Sequence, residues 1–395
     1  MAPSAGGQYH WISELAPAKA QKLLSYLVGW LTTLGWQVGL TSVSYGAALQ
    51  IEGLAIFFDN NTVFQGWQLT LITIGISLIA VFFNTILAGK LHVLEFVMLV
   101  PHYAAWIIFI VILLVMGPQS SNHDVWGTFK DNSGWGSIGL AVLVGIIGPV
   151  TSLTSADSSC HLSEELPNAA KWMPRCMIFS AFLNFSISFG MLLAILYRSG
   201  DLAQALESPT GQPYIQILYN VTGSRSATGV MVAYIILSLM FCAINMVSPK
   251  SHIPTYAILA TLFFTVAISL IIIGSSTAFN IIVSLGACAI LASYIVSISC
   301  LLYLRIRGDD LLPSPFSLGR GPGIVINGLA LAFLWLAYVM VFWPSAPNPT
   351  AASMNWSVLI FGAAILFAMI FFAVKKRHEY EGPVEYVRNM DEFEL

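Results

Sequence analysis

The sequence predicts an all-α polytopic membrane protein, on three observations. Composition is too apolar for a water-soluble domain, ten apolar runs are long enough to cross a bilayer, and basic residues fall on one side of those runs. Of 395 residues, 57% are hydrophobic and 9% charged, with mean hydropathy +0.79. A soluble domain carries about 25% charged residues. A hydrocarbon core about 30 Å thick is crossed by about 20 residues at a rise of about 1.5 Å each.

Taken in order, residues 1–22 read as a cytosolic segment. They lack the basic patch and short apolar core of a cleavable signal peptide. Apolar runs then cover 23–51, 67–88, 94–116, 137–159 (interrupted), 177–197, 229–247, 255–273, 279–304, 323–343 and 356–374. Together they make one transmembrane domain, 23–374. The longest connection, 198–228, is too short to form a soluble core. The tail, 375–395, begins basic and ends acidic, and reads as a solvated, disordered cytosolic segment.

Orientation follows from Lys and Arg, which concentrate in cytosolic loops. With the N-terminus inside, 13 of the 16 basic residues lie in inner segments, and only Lys130, Arg198 and Arg225 lie outside. Both termini are then cytosolic, and a plasma-membrane location is expected. The same topology puts the glycosylation acceptors Asn60, Asn220 and Asn355, each in an Asn-x-Ser/Thr sequon, on the outer face. Trp67, Trp135, Trp343 and Trp356 stand at run ends, as interfacial anchors do.

Several function classes are excluded. A net charge of −3 offers no basic face to neutralise phosphates, so no nucleic-acid partner is expected. Five cysteines give no disulfide framework, and their placement predicts buried or reduced thiols. No zinc-protease spacing, GxSxG elbow, P-loop or dinucleotide fingerprint occurs. No enzyme, metal site or cofactor is therefore expected, and oligomeric state is not encoded legibly.

The fourth run carries the chemistry. It starts apolar, meets Gly148-Pro149, and continues through Thr151, Ser152, Thr154, Ser155, Asp157, Ser158 and Ser159 at a depth where hydrocarbon is expected. Proline and glycine release main-chain groups that lipid cannot satisfy, so such a break belongs beside a wet cavity or a ligand. A carboxylate there costs about 2.5–3.5 kcal/mol, which marks a functional position. Interrupted helices of this kind form the midplane site of secondary transporters. The competing reading is structural: Ser and Thr bond back to preceding carbonyls, and Asp157 caps a short helix over 158–166.

The stretch GPVTSLTSADSSCHLSEELPNAAKWMPR resembles the amino acid–polyamine–organocation permeases, in particular the fungal branch of amino-acid, GABA and choline permeases. Gly148, Pro149, Ser152, Asp157, His161, Glu164, Glu165, Asn168, Pro174 and Arg175 match that branch's pattern. Ser155 stands where the family has glycine, a departure that bears on substrate fit. Further likeness lies in Ala5-Gly6-Gly7-Gln8-Tyr9-His10-Trp11, in Gly35-Trp36-Gln37 and in the segment from Gly274 to Asn280. The resemblance implies ten spans of a twelve-helix fold built from two inverted five-helix repeats, N-terminally truncated by two helices. A partner break, which the repeat symmetry requires, is not found before residue 23. The family's polar stretch after Met246 is also missing, replaced by Val247-Ser248-Pro249-Lys250-Ser251-His252.

The resemblance implies transport of a small amine-bearing solute, an amino acid, GABA or choline, through the bilayer with proton coupling. Gly148, Thr151, Ser152, Leu153, Thr154, Ser155 and Asp157 are the substrate-binding candidates, on the expectation that 151–157 unwinds. Glu164, Glu165 and Arg175 are candidates for cytosolic gate ion pairs, or else solvated loop charges. His102 and His161 are the proton-relay candidates, with backbone hydrogen bonding the simpler role for His161. With half the cavity wall missing, little uptake by this chain alone is expected. Its alternative role is that of a transport-incompetent partner of a complete permease.

Overall fold

The computed structural model describes residues 4–245, 255–274, 276–309, 311, 315–344, 346–350 and 354–383. Every described element is a helix. In chain order these are α1 (Gln8–Leu15), α2 (Gln21–Phe58), α3 (Gly66–Thr85), α4 (Leu91–Met116), α5 (Ile138–Gly145), α6 (Ile147–Leu153), α7 (Ala169–Arg198), α8 (Pro213–Thr222), α9 (Arg225–Asn245), α10 (Thr255–Ser269), α11 (Ser276–Arg307), α12 (Arg320–Val341) and α13 (Ser357–Phe371). Short helical turns connect them.

Among the described residues, every expected apolar run is largely helical. Eight described helical segments are long and apolar enough to cross a membrane. Outside those eight are α2, whose 38 residues include Gln37, Gln50 and Glu52, and α10, which is short by itself and continues as the turn Ile271–Gly274. Large apolar side chains stand exposed along α4, α7, α12 and α13, as on helices whose solvent is lipid.

The chain divides into two compact units. The first comprises Met1–Trp36, Asp131–Phe185 and Ile281–Leu395. Its core brings Trp11 and Leu15 of α1 against Cys160, Met173 and Cys300, and Ile12 against Val28, Leu31 and Ala289. Gly35 permits close approach here, since a Cβ would stand 2.5 Å from Ile290. The tail is folded further than its charge predicts. The Tyr380 hydroxyl lies within hydrogen-bond distance of the Tyr9 (3.2 Å) and Ser25 (3.1 Å) hydroxyls, and its ring packs edge-on against Tyr26. An aromatic residue with two hydroxyl partners outweighs the charged neighbours that favour solvation; residues 384–395 lie outside the described residues.

The second unit comprises Gln37–Lys130 and Ser186–Asn280. Small polar side chains knit its helices: Ser77 donates to Ser44 at 3.1 Å, Gln37 to Thr261 at 2.8 Å, and Asn84 to the Ile244 carbonyl at 2.7 Å. Such bonds hold helices together where lipid gives no hydrophobic drive. The connection 198–228 is not a plain loop. It folds into the turn Leu202–Leu206 and α8, and sends Ala205, Ile215, Leu218 and Val221 into a core with Phe57, Leu113 and Met231. Pro213 opens α8 and Gly223, at φ 61°, closes it, which is the expected punctuation of a helix.

Candidate functional site

The fourth run enters from a tightly tied loop. Asp131 accepts from the Ser133 hydroxyl (2.8 Å) and from the amides of Ser133, Gly134 and Gly136 (3.0, 3.0 and 2.7 Å). Those bonds, the Ser133 hydroxyl first, hold its carboxyl below the usual carboxylate range. Ser137 then caps α5, accepting from the Leu140 amide at 3.4 Å.

Proline fixes where α5 ends. Pro149 has no amide for the carbonyl four residues earlier, that of Gly145, and its ring crowds that carbonyl. Gly145 is the last residue of α5, Ile146 forms a turn, and α6 starts afresh at Ile147. Pro149 thus sits in the first turn of α6, where amides lack intrahelical partners anyway. Beside Gly148 there is open space, with no heavy atom within 4 Å of where a Cβ would be.

The second change of conformation comes later than the sequence predicts. Thr151, Ser152 and Leu153 remain α-helical, and the chain tightens into a 3₁₀ helix over Thr154–Glu165. Back-bonding keeps the helix: Thr151 Oγ1 donates to Ile147 (3.0 Å) and Gly148 (2.9 Å), and Ser152 Oγ to Gly148 (2.9 Å). Thr154 Oγ1 donates to Val150 at 2.6 Å. The expected unwinding over 151–157 is replaced by a switch of helix type. A 3₁₀ helix of 12 residues far exceeds the usual three or four, which marks a hinge or a strained sequence.

The 3₁₀ segment has supports. Tyr294 of α11 donates its hydroxyl to the Thr154 carbonyl at 3.0 Å. Cys160 is buried beneath Trp11, Leu15 and Met173. His161 Nδ1 lies 2.8 Å from the Ala5 carbonyl, which can only accept, so that nitrogen carries the proton. Trp36 meets the same imidazole edge-on, with centroids 5.4 Å apart. Gly7 adopts φ 53° where a Cβ would stand 3.2 Å from the Cys160 sulfur.

Of the substrate-binding candidates, Gly148 and Ser152 are exposed, while Thr151, Leu153 and Thr154 are half-buried. Ser155 and Asp157 share the 3₁₀ helix with Glu164 and Glu165, and the side chains of all four lie outside the described residues. The structure brings Arg175 against Trp172, with 5.3 Å from guanidinium to ring centroid. His102 belongs to the second unit, exposed on α4 beside the Tyr103 ring. Sequence reasoning missed Tyr294, Ala5 and Trp36 as contacts of the 3₁₀ segment. Ala5 and Trp36 do fall in stretches that resemble the permeases, whereas nothing local distinguishes Tyr294.

A family model described as "Amino acid permease" matches residues 1–248 and 244–365. The chain belongs to the amino acid permease family. The two matched pieces overlap at 244–248. Among curated relatives, a Macrophomina phaseolina protein named for amino acid/polyamine transport is 26% identical over 384 residues, 90% of this chain and 84% of its own. An uncharacterized amino-acid permease of Schizosaccharomyces pombe is 26% identical over 415 residues, 98% of this chain and 76% of its own. Amino-acid permease 2 of Neurospora crassa is 25% identical over 413 residues, 97% of this chain and 75% of its own. The interrupted α5–α6 segment is therefore a feature of an integral membrane protein of the permease family, and the family points to amino-acid transport rather than to enzymatic chemistry.

Proposed function

We propose that this permease moves an amino acid or a related small amine such as GABA or choline by proton-coupled secondary transport, with the solute held at the α5–α6 break. The observation that carries the reading is the double change of helical hydrogen-bond pattern, at Ile146 and again at Thr154, inside an apolar segment. Lipid gives freed main-chain groups no partner, so a ligand or water cavity must. Gly148, with nothing beside its Cα, gives a solute direct access to backbone. Asp157 answers the ammonium group of the solute. His161 and His102 are the proton carriers to test, and Glu164 and Glu165 guard the cytosolic mouth. The placement of 13 of 16 basic residues in inner segments supports cytosolic termini; the plasma membrane is the proposed location.

The test is uptake of labelled amino acids, GABA and choline by cells expressing the chain, where little is expected, and by cells expressing a complete homologue with and without the substitution equivalent to Asp157→Ala, with a protonophore added to each. Uptake is expected to fall in the variant at equal surface abundance, and to collapse with the proton gradient. Uptake indifferent to Asp157→Ala would sink the site. No uptake for any solute, together with co-purification of a complete permease, would favour the role of a transport-incompetent partner.

A further inference from the structure

At the start of α7 three exposed side chains lean on one another. Lys171 Nζ lies 5.8 Å from the Trp172 ring centroid, Arg175 Cζ lies 5.3 Å from it, and the ring is 47% exposed. Neither cation has a carboxylate within ion-pair distance among the described residues. Farther along the same helical face stand Phe179 and Phe182, 66% and 69% exposed. The surface thus has two positive charges without an ion-pair partner among the described residues, an aromatic collar at one end, and a bare phenylalanine strip below.

We infer that this face of α7 is a binding site for an anionic phospholipid of the cytosolic leaflet, its headgroup phosphate between Lys171 and Arg175 and an acyl chain along Phe179 and Phe182. Stacking on Trp172 orders both long cationic side chains before any ligand arrives, which lowers the entropic cost of binding. Tryptophan with Lys or Arg is the anchor chemistry of the membrane interface. Near an anionic leaflet each basic residue strengthens attachment by a factor of about 5. The cations by themselves would accept any phosphate-like anion; the strip requires that anion to carry hydrocarbon. A second copy of the chain fits less well, because a two-fold contact through this face would set the cations against themselves. Arg175 thereby serves as a lipid ligand, a role apart from its candidacy as a gate residue.

The choice of leaflet rests on the proposed orientation. The test is native mass spectrometry of the full chain, delipidated in neutral detergent and titrated with phosphatidylserine, phosphatidylcholine or soluble phosphoserine. Phosphatidylserine is expected to bind the K171Q/R175Q double variant about 25-fold more weakly than the unaltered chain, as two such factors imply. Phosphatidylcholine should bind both equally, and phosphoserine neither. Equal retention of phosphatidylserine by both proteins overturns the site, and so does phosphoserine binding as well as the lipid. The assay involves no uptake and no sidedness, so failure of the transport reading and failure of this site are read separately.

Discussion

Tyr294 and Thr154 are 140 residues apart in the chain, and one hydrogen bond of 3.0 Å joins them where α-helix gives way to 3₁₀. The bond supplies a partner for a carbonyl at the point where the helical hydrogen-bond pattern changes. Tyr294→Phe retains the ring and removes the hydroxyl that makes this bond. The expected cost is about 1 kcal/mol of stability, as for a single internal hydrogen bond. Thermal unfolding in detergent measures it; an unaltered midpoint would remove Tyr294 from the support of this junction.

Gly7 sits at φ 53°, ψ −134°, a region that side chains avoid, and a Cβ there would press on Cys160 at 3.2 Å. Gly7→Ala is expected to destabilise the seat of the N-terminal segment by about 1–3 kcal/mol. Cys160, 1% exposed, should then react with a thiol reagent that leaves the unaltered protein unlabelled at this position. Labelling resolved by peptide mass spectrometry decides the matter, with exposed Cys176 as the internal control.

His10 of α1 has its pKa lowered from 6.5, because burial of the ring outweighs the pull of Glu14 at 3.7 Å. The folded state therefore binds the proton less readily than the unfolded chain. His10's contribution is complete above 6.5 and is lost as pH falls below that value. Acidification is expected to loosen α1, seen as faster amide exchange over Gln8–Leu15, and His10→Gln should flatten the dependence as pH falls below 6.5. A profile equally steep in the variant would assign the effect to another group.

The three sequons are not equivalent in space. Asn60 is exposed in the turn after α2, whereas Asn355 donates its amide to the Val341 carbonyl at 2.8 Å. Asn220 lies within α8 and accepts from Gln216 at 2.7 Å. If the proposed topology holds, endoglycosidase treatment should shift the mobility of the unaltered chain and leave Asn60→Gln unchanged. Asn355→Gln should still shift. A shift that survives Asn60→Gln would contradict this ranking.

Much of this architecture is legible in the sequence because hydropathy over 20 residues is a compositional signal that packing does not overturn. The break before Gly148 is legible too, since Pro149 forbids one particular bond. The conformation beyond Pro149 is not. Thr151, Ser152 and Thr154 look like helix breakers by composition, yet each satisfies itself on a carbonyl of its own helix. Helix α8 hides in a polar connection because its apolar period, Ile215, Leu218 and Val221, is only two turns long. Tyr294 stays illegible since a pairing across 140 residues depends on how helices are brought together.

The hydroxyls of Thr151, Ser152 and Thr154 have each given their single hydrogen to main chain. What remains on those oxygens is lone pairs. As bonded, that stretch of helix is one-sided in its chemistry, its hydroxyl oxygens set to receive hydrogens rather than to offer them. At the proposed site a guest's amino end would find company there, and its acid end would look for donors elsewhere, starting with the amides where α5 stops and α6 begins.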